Sequence, residues 1–415
     1  MSQETDLSAY SLFSPELQSN PFDFYKLLHE KCPVYKMPEN GFYMLSRYDD
    51  VYDAAQNWSV YSSVMERIAL LQGENGRILL DVLRDKGWEH MPTLQRADPP
   101  QHARYRKIID RALNIKHVRN LAGRMTEVVN DLIDKFIDRG QCDFIEEFAF
   151  PFPGTIIAEL VGLQSSDWPT YRKWAENILA YSGRKLTAEE LQAAAVLELD
   201  MQHILAGILE DRRKNPREDL MTSLVTAYEG EEPLSMHELQ NIMHQLISGG
   251  YDTVPTGLNH TMLRLVEYPD IAERLRKDPS LTRNFIDESL RFESPVQGHV
   301  RKVVKNVVVE GVTIPEGSFC MMRWGAANRD ETRFPNADQL IPERENAGRH
   351  VGFGAGPHVC PGMMLARQEL TIAVNLLLAR LDNIELATPQ PTPRHKPSLG
   401  LHPLRELNIK FTKRA

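Results

Sequence analysis

The stretch His350 to Gly362 constrains this chain more than any other. It reads H-V-G-F-G-A-G-P-H-V-C-P-G, with four glycines (Gly352, Gly354, Gly356, Gly362) and two prolines around one thiol, Cys360. Met363 to Leu381 then runs glycine-free, with Leu365, Ala366, Leu370, Ala373, Leu377 and Leu381 on one helical stripe. A glycine loop thus delivers a cysteine to the start of a predicted helix. Free N–H groups and the positive end of the helix dipole favour an anion there, here a thiolate. Glycines let the backbone pass close to something large and flat. The plain reading of an isolated cysteine is a small buried apolar residue. Zinc competes poorly, since only His358 stands near Cys360 and structural zinc takes four ligands. An axial bond to heme iron is the other thiolate chemistry of note.

Phe353, Gly354, Gly356, His358, Cys360 and Gly362 meet the run F-G-x-G-x-H-x-C-x-G, which resembles the heme-binding loop of the cytochrome P-450 family. Three further stretches resemble family motifs in the family's order, so the resemblance spans essentially the whole chain. It implies a mainly α fold, a triangular helical domain with a small β region, forming a single domain over residues 1–415. It also implies Cys360 as the metal ligand, with Phe353, His358 and Gly362 shaping the heme cradle.

Charged residues at 25% and apolar residues at 42% of 415 are ordinary for a soluble globular protein. A net charge of −9 argues against a nucleic-acid partner. Met1 to Asn20 shows no leader pattern, and no run approaches the ~20 apolar residues that span a bilayer. A cytoplasmic protein with no membrane partner is expected. Cys32, Cys142, Cys320 and Cys360 are widely spaced and suggest no disulfide framework.

Pattern reading predicts a helix over Pro21–Lys31, a hairpin of 34–36 with 42–45, and a helix over 48–57. Trp58 to Pro99 is mixed, with a short helix at 78–83, and reads as a cover over a pocket. Asp98-Pro99-Pro100 opens a helix that carries His102 and Arg106 on one face and Arg104, Lys107 and Arg111 on another. Further helices are predicted over 116–139, over 167–181 and 188–214 joined by Ser182-Gly183, and over 220–228. Phe144 to Leu163 is apolar and interrupted by Pro151 and Pro153. Ser235 and Glu238 form a capping box for a long helix. Its periodicity breaks at Ser248 to Pro255, where glycine and proline demand a bend or a loop. Strands are expected over 303–309, 312–314 and 407–411.

Arg106 by itself would pair with Asp110. The resemblance instead sends His102, Arg106 and a third cation, Arg301, to the heme propionates. It aligns Gly249, Asp252 and Thr253 with the [A/G]-G-x-[D/E]-T motif, where a distorted helix opens a groove for O2 and an acid–alcohol pair relays protons. Gly249 replaces a commoner alanine, so a roomier groove is expected; Pro255 lies outside the motif and suggests a kink. Glu288 and Arg291 pair on one helical face and, with Arg344, match the family's structural cluster. Family topology puts pocket walls in the 58–99 stretch, at 179–183, at His244, Ile247 and Ser248, at Val296, Gln297 and His299, and at Leu399–Leu401. His244, Gln297 and His299 are expected as polar anchors.

The implied activity is a monooxygenase using heme b (iron protoporphyrin IX) and O2 on an apolar small molecule, by hydroxylation or oxidative demethylation. Electrons would come from NAD(P)H through a separate ferredoxin and its reductase, or a flavodoxin, since only 55 residues follow Cys360. The basic face Arg104, Lys107, Arg111 would dock an acidic donor. A hydrogen-peroxide-using peroxygenase and a non-enzymatic heme-thiolate sensor are the alternatives; Asp252-Thr253 argues against the first.

Overall fold

Short apolar alternations closed by turn residues make the strands, and 3.6-residue periodicities make the helices that dominate the chain. The computed structural model describes residues 7, 10, 11, 14–65, 72–226, 232–392 and 394–414. It divides into two compact units, Met1–Ser63 with Ala122–Ala149 and Thr253–Ala415, and Val64–Leu121 with Phe150–Asp252.

The first unit carries the strands. β1 (Val34–Lys36) and β2 (Tyr43–Leu45) form the predicted hairpin, with Tyr35 opposite Met44. β3 (Tyr61–Ser62), β5 (His299–Val303) and β8 (Phe319–Met322) complete a five-stranded sheet in the order β1-β2-β8-β5-β3. β4 (Gln141–Asp143), β9 (Leu381–Leu386) and β10 (Asn408–Lys413) form a second sheet. β6 (Val307–Val309) and β7 (Val312–Ile314) are joined by Glu310 and Gly311, both at positive φ, as a tight hairpin turn requires. Val303 belongs to β5, so the strand expected over 303–309 is in fact two. Leu45, Val51, Val303, Met322, Trp324 and Val351 are buried in one core. The helices Thr253–Glu267, Thr282–Glu293 and Met363–Arg380 pack together, with Gly257 letting Leu290 and Leu370 approach.

The second unit is helical. Gly76–Lys86, Gln101–Ala112, Pro151–Leu160, Trp168–Gly183, Ala188–Lys214 and Met236–Tyr251 are its main elements. Pro151 sits at the first helical position, where its missing N–H leaves nothing unpaired. Capping boxes at Thr187/Glu190 and Ser235/Glu238 start two helices. Ser182 and Gly183 are helical rather than a link, because the Trp168–Gly183 helix runs on to a cap at Arg184. The helix expected over 116–139 is two, Ile115–Asn120 and Ala122–Phe136, followed by a 3-10 turn. That expected over 220–228 closes at Val225. Positions 227 and 228, like 66–71 of the expected cover, lie outside the described residues.

Candidate functional site

Gly354 and Gly356 adopt left-handed φ of 74° and 66°, conformations that L side chains rarely adopt. A Cβ on Gly356 would lie 2.4 Å from the Ala55 carbonyl oxygen, so the loop closes directly on the Tyr48–Gln56 helix. Within the loop the Cys360 N–H donates to the Phe353 carbonyl (2.9 Å), and the Met363 N–H reaches the Cys360 carbonyl (3.3 Å) as the long helix begins. His358 Nε2 meets Ser63 Oγ at 3.0 Å. Upstream, the Val351 N–H donates to Asn328 Oδ1 (2.7 Å), and the Arg367 guanidinium stacks over Phe353. The loop is anchored on both sides of the thiol.

The four cysteines differ in kind. Cys142 and Cys320 are buried, and burial pushes both thiols up, Cys320 to about 12. The Cys32 thiol is also raised by burial and donates to the Val34 carbonyl. Cys360 is partly exposed at a helix start, and no cysteine is in a disulfide. A partly exposed thiol at a helix start, with Gly362 beside its Sγ, fits a heme-thiolate ligand.

Arg301 is buried on β5 and donates through Nη1 to the Val300 carbonyl. In the second unit His102 is buried on the Gln101–Ala112 helix, while Arg106 Nε pairs with Asp110 at 2.7 Å. The helical run bends at Asp252: Met236–Tyr251 ends there and Thr253–Glu267 begins. The Tyr171 hydroxyl donates to the Ile247 carbonyl at 2.9 Å, giving that acceptor a partner from outside its own helix. Space is open where a Cβ on Gly249 would project, whereas one on Gly250 would press on Ile157. Pro255 is the third residue of the new helix, where an N–H has no intrahelical acceptor, so it costs nothing in the ladder.

Glu288, Arg291 and Arg344 meet in one buried cluster. Arg291 donates to both Glu288 oxygens (2.7 and 2.9 Å), and Arg344 Nε shares itself between them at 3.0 Å. Val296 bridges to Leu401, with Leu399 two residues before it. His299 Nδ1 accepts from the Trp324 indole at 2.9 Å. Two expected pocket anchors have polar atoms engaged by the protein itself. Gln297 is buried, with Oε1 taken by the Tyr25 hydroxyl and Nε2 by the Glu293 and Ser294 carbonyls. His244 is buried in a network with Tyr181 (2.7 Å) and Glu198, which also holds His90 (2.9 Å). Burial lowers the His244 pKa, while at Glu198 hydrogen bonds from His90 and Tyr181 work against burial and hold the carboxyl below its usual range. Sequence reasoning missed this network and a second one, His260, Glu293, His395 and His402; neither has a local spacing signal.

The cytochrome P450 family model matches residues 140–409. Cytochrome P450 107B1 of Saccharopolyspora erythraea is 34% identical over 375 residues, 89% of each chain. Vitamin D(3) 25-hydroxylase of Pseudonocardia autotrophica is 30% identical over 401 residues, 92% of each. The solved structure of P450BioI in complex with hexadec-9Z-enoic acid ligated acyl carrier protein superposes with a TM-score of 0.85 at 26% identity, over 96% of this chain and 99% of that one. Loop, helix break and buried Glu–Arg cluster thus coincide with a match along nearly the whole chain, and the protein belongs to the cytochrome P450 family of monooxygenases.

Proposed function

We propose that this monooxygenase inserts one oxygen atom into an apolar small molecule, working as a single cytochrome P450 domain. Hydroxylation is the reaction, with oxidative demethylation its variant at a methyl group. The anchored cysteine loop carries the reading. Its thiolate would hold the iron of heme b, with Phe353, His358 and Gly362 forming the cradle. Bound heme supplies the reductive activation of O2. Arg301, His102 and Arg106 are assigned to the propionates, since carboxylates entering a protein need cationic donors.

Asp252 and Thr253 are assigned the proton relay. Thr253 supplies a hydroxyl at the start of the Thr253–Glu267 helix, and Asp252 a carboxylate beside it. Gly249 keeps that stretch clear of side chains. Ile247, Ser248, Val296, His299 and Leu399 are assigned to substrate contact; Gln297 and His244 drop out because their polar atoms are engaged. A relative named as a vitamin D(3) 25-hydroxylase supports hydroxylation of an apolar, steroid-like or terpenoid molecule.

Electrons are assigned to NAD(P)H through a separate ferredoxin and its reductase, in the cytoplasm. A groove of about 830 Å³ flanks the cysteine loop, lined by Tyr48, Arg333, Arg349, Phe353, Met363 and Arg367, and suits an acidic donor. Of the basic face expected on the Gln101–Ala112 helix, the Arg104 guanidinium is held by Glu238. The test is the reduced carbon monoxide difference spectrum, followed by a substrate screen that reads the spin state. A thiolate-type band that disappears in Cys360→His, with turnover that needs NAD(P)H and ferredoxin, is expected. No thiolate band, or full turnover on hydrogen peroxide alone, would overturn the reading.

A further inference from the structure

His260, Glu293, His395 and His402 form a buried cluster in the first unit. All four are at least nine-tenths buried, with exposures of 1%, 1%, 7% and 0%. One ligand atom from each lies within 4.8 Å of the others. Glu293 Oε2, His395 Nε2 and His402 Nδ1 are buried with no hydrogen-bond partner among the described residues. Buried polar atoms left in this state are costly, and several grouped this closely call for a shared partner.

The surrounding bonds orient these atoms. His402 Nε2 faces the Ser19 carbonyl at 3.2 Å and must donate to it, which leaves Nδ1 as a lone pair. That lone pair faces Glu293 Oε2 at 3.9 Å, acceptor against acceptor. Glu293 Oε1 is held by Arg264 Nε at 2.7 Å, which presents Oε2 to the cluster. The His395 and His402 rings stack at 3.5 Å, and the segment bearing them is clipped by the Lys396 N–H to Pro403 and the Arg405 N–H to Arg394. A backbone carbonyl behind a ligating histidine and an arginine behind a carboxylate are the supports that metal ligands use.

We propose that these four residues bind one Zn2+ ion in a closed N3O site. Ligands at about 2.0–2.1 Å from tetrahedral zinc stand roughly 3.3 Å apart, so modest side-chain rotation closes the cluster. The site has four protein ligands and no access to solvent, which makes it structural. It ties the Thr253–Glu267 helix to the end of the Thr282–Glu293 helix and to the 395–402 segment.

The experiment uses the purified full chain with its heme, stripped with a chelator and titrated with Zn2+ against a competing zinc indicator. One Zn2+ per chain is expected, with zinc-edge absorption showing nitrogen and oxygen neighbours at about 2.0–2.1 Å and no sulfur. His395→Phe keeps a stacked ring and should weaken zinc roughly 100-fold or more, with the carbon monoxide spectrum unchanged. Failure to bind Zn2+ stoichiometrically, a sulfur neighbour, or undiminished affinity in His395→Phe would each overturn the proposal. The absorption measurement needs no variant, so a folding defect in His395→Phe cannot mask the outcome.

Discussion

Replacing Glu288 by Gln tests the buried cluster most directly. The carboxylate is fully buried and accepts from Arg291 Nε and Nη2, from Arg344 Nε, and from the Ile341 N–H at 2.9 Å. Both guanidiniums also donate to carbonyls, Arg291 to Asn328, Ala337 and Gln339, and Arg344 to Pro335, Asn336 and Gln339. Those carbonyls hold the cations in place, so the side chains cannot swing to water when the anion is lost. Gln keeps the volume, removes the charge and turns an NH2 toward N–H donors. Breaking a buried ion pair on one side costs about 3–5 kcal/mol, a fifth or more of a typical domain's stability of about 5–15 kcal/mol. Urea unfolding followed by circular dichroism reads the loss as a lower midpoint at unchanged slope. Asp81→Asn is the control: its pair with Arg84 is more than half exposed on both sides, and its loss should barely move the midpoint. A Glu288→Gln loss no larger than the control's would refute the reasoning.

Thr253→Ala should leave the carbon monoxide spectrum intact while product per NAD(P)H falls and hydrogen peroxide rises; unchanged coupling would remove Thr253 from the relay. Gly356→Ala should lower the yield of loaded protein sharply, because the new methyl meets the Ala55 carbonyl at a left-handed φ; Gly249→Ala, facing open space, should fold normally. Glu369 is buried with neither carboxylate oxygen partnered, and burial raises its pKa from 4.5 to about 8. It is then protonated in the fold and ionised in the unfolded chain between those values, so stability falls as pH rises, by about 1.4 kcal/mol per unit. Glu369→Gln should flatten that slope between pH 5 and 7; parallel profiles for variant and parent would sink the claim.

Local chemistry was legible wherever one short stretch contains all its causes. The Ser235/Glu238 box, the Glu310-Gly311 turn and the 34–45 hairpin each need only a few neighbouring residues. The cysteine loop belongs with them, since its glycines, thiol and following helix are contiguous. Ser182-Gly183 misled because packing of a long helix overrides a weak local breaker. Gln297 and His244 misled for another reason: a polar residue near an expected pocket has two possible customers, and only the fold shows that Tyr25 and Tyr181 reach them. The His260–His402 cluster joins residues far apart in the chain, and no period or motif links them.

The proline three residues past the bend has a practical consequence. Having no amide hydrogen to offer, position 255 stops the two helical stretches from fusing whatever stands at 252 and 253. Side chains at those two positions can therefore be exchanged on a backbone that stays put, and differences in rate among such variants report on acid and hydroxyl chemistry rather than on a rewound helix.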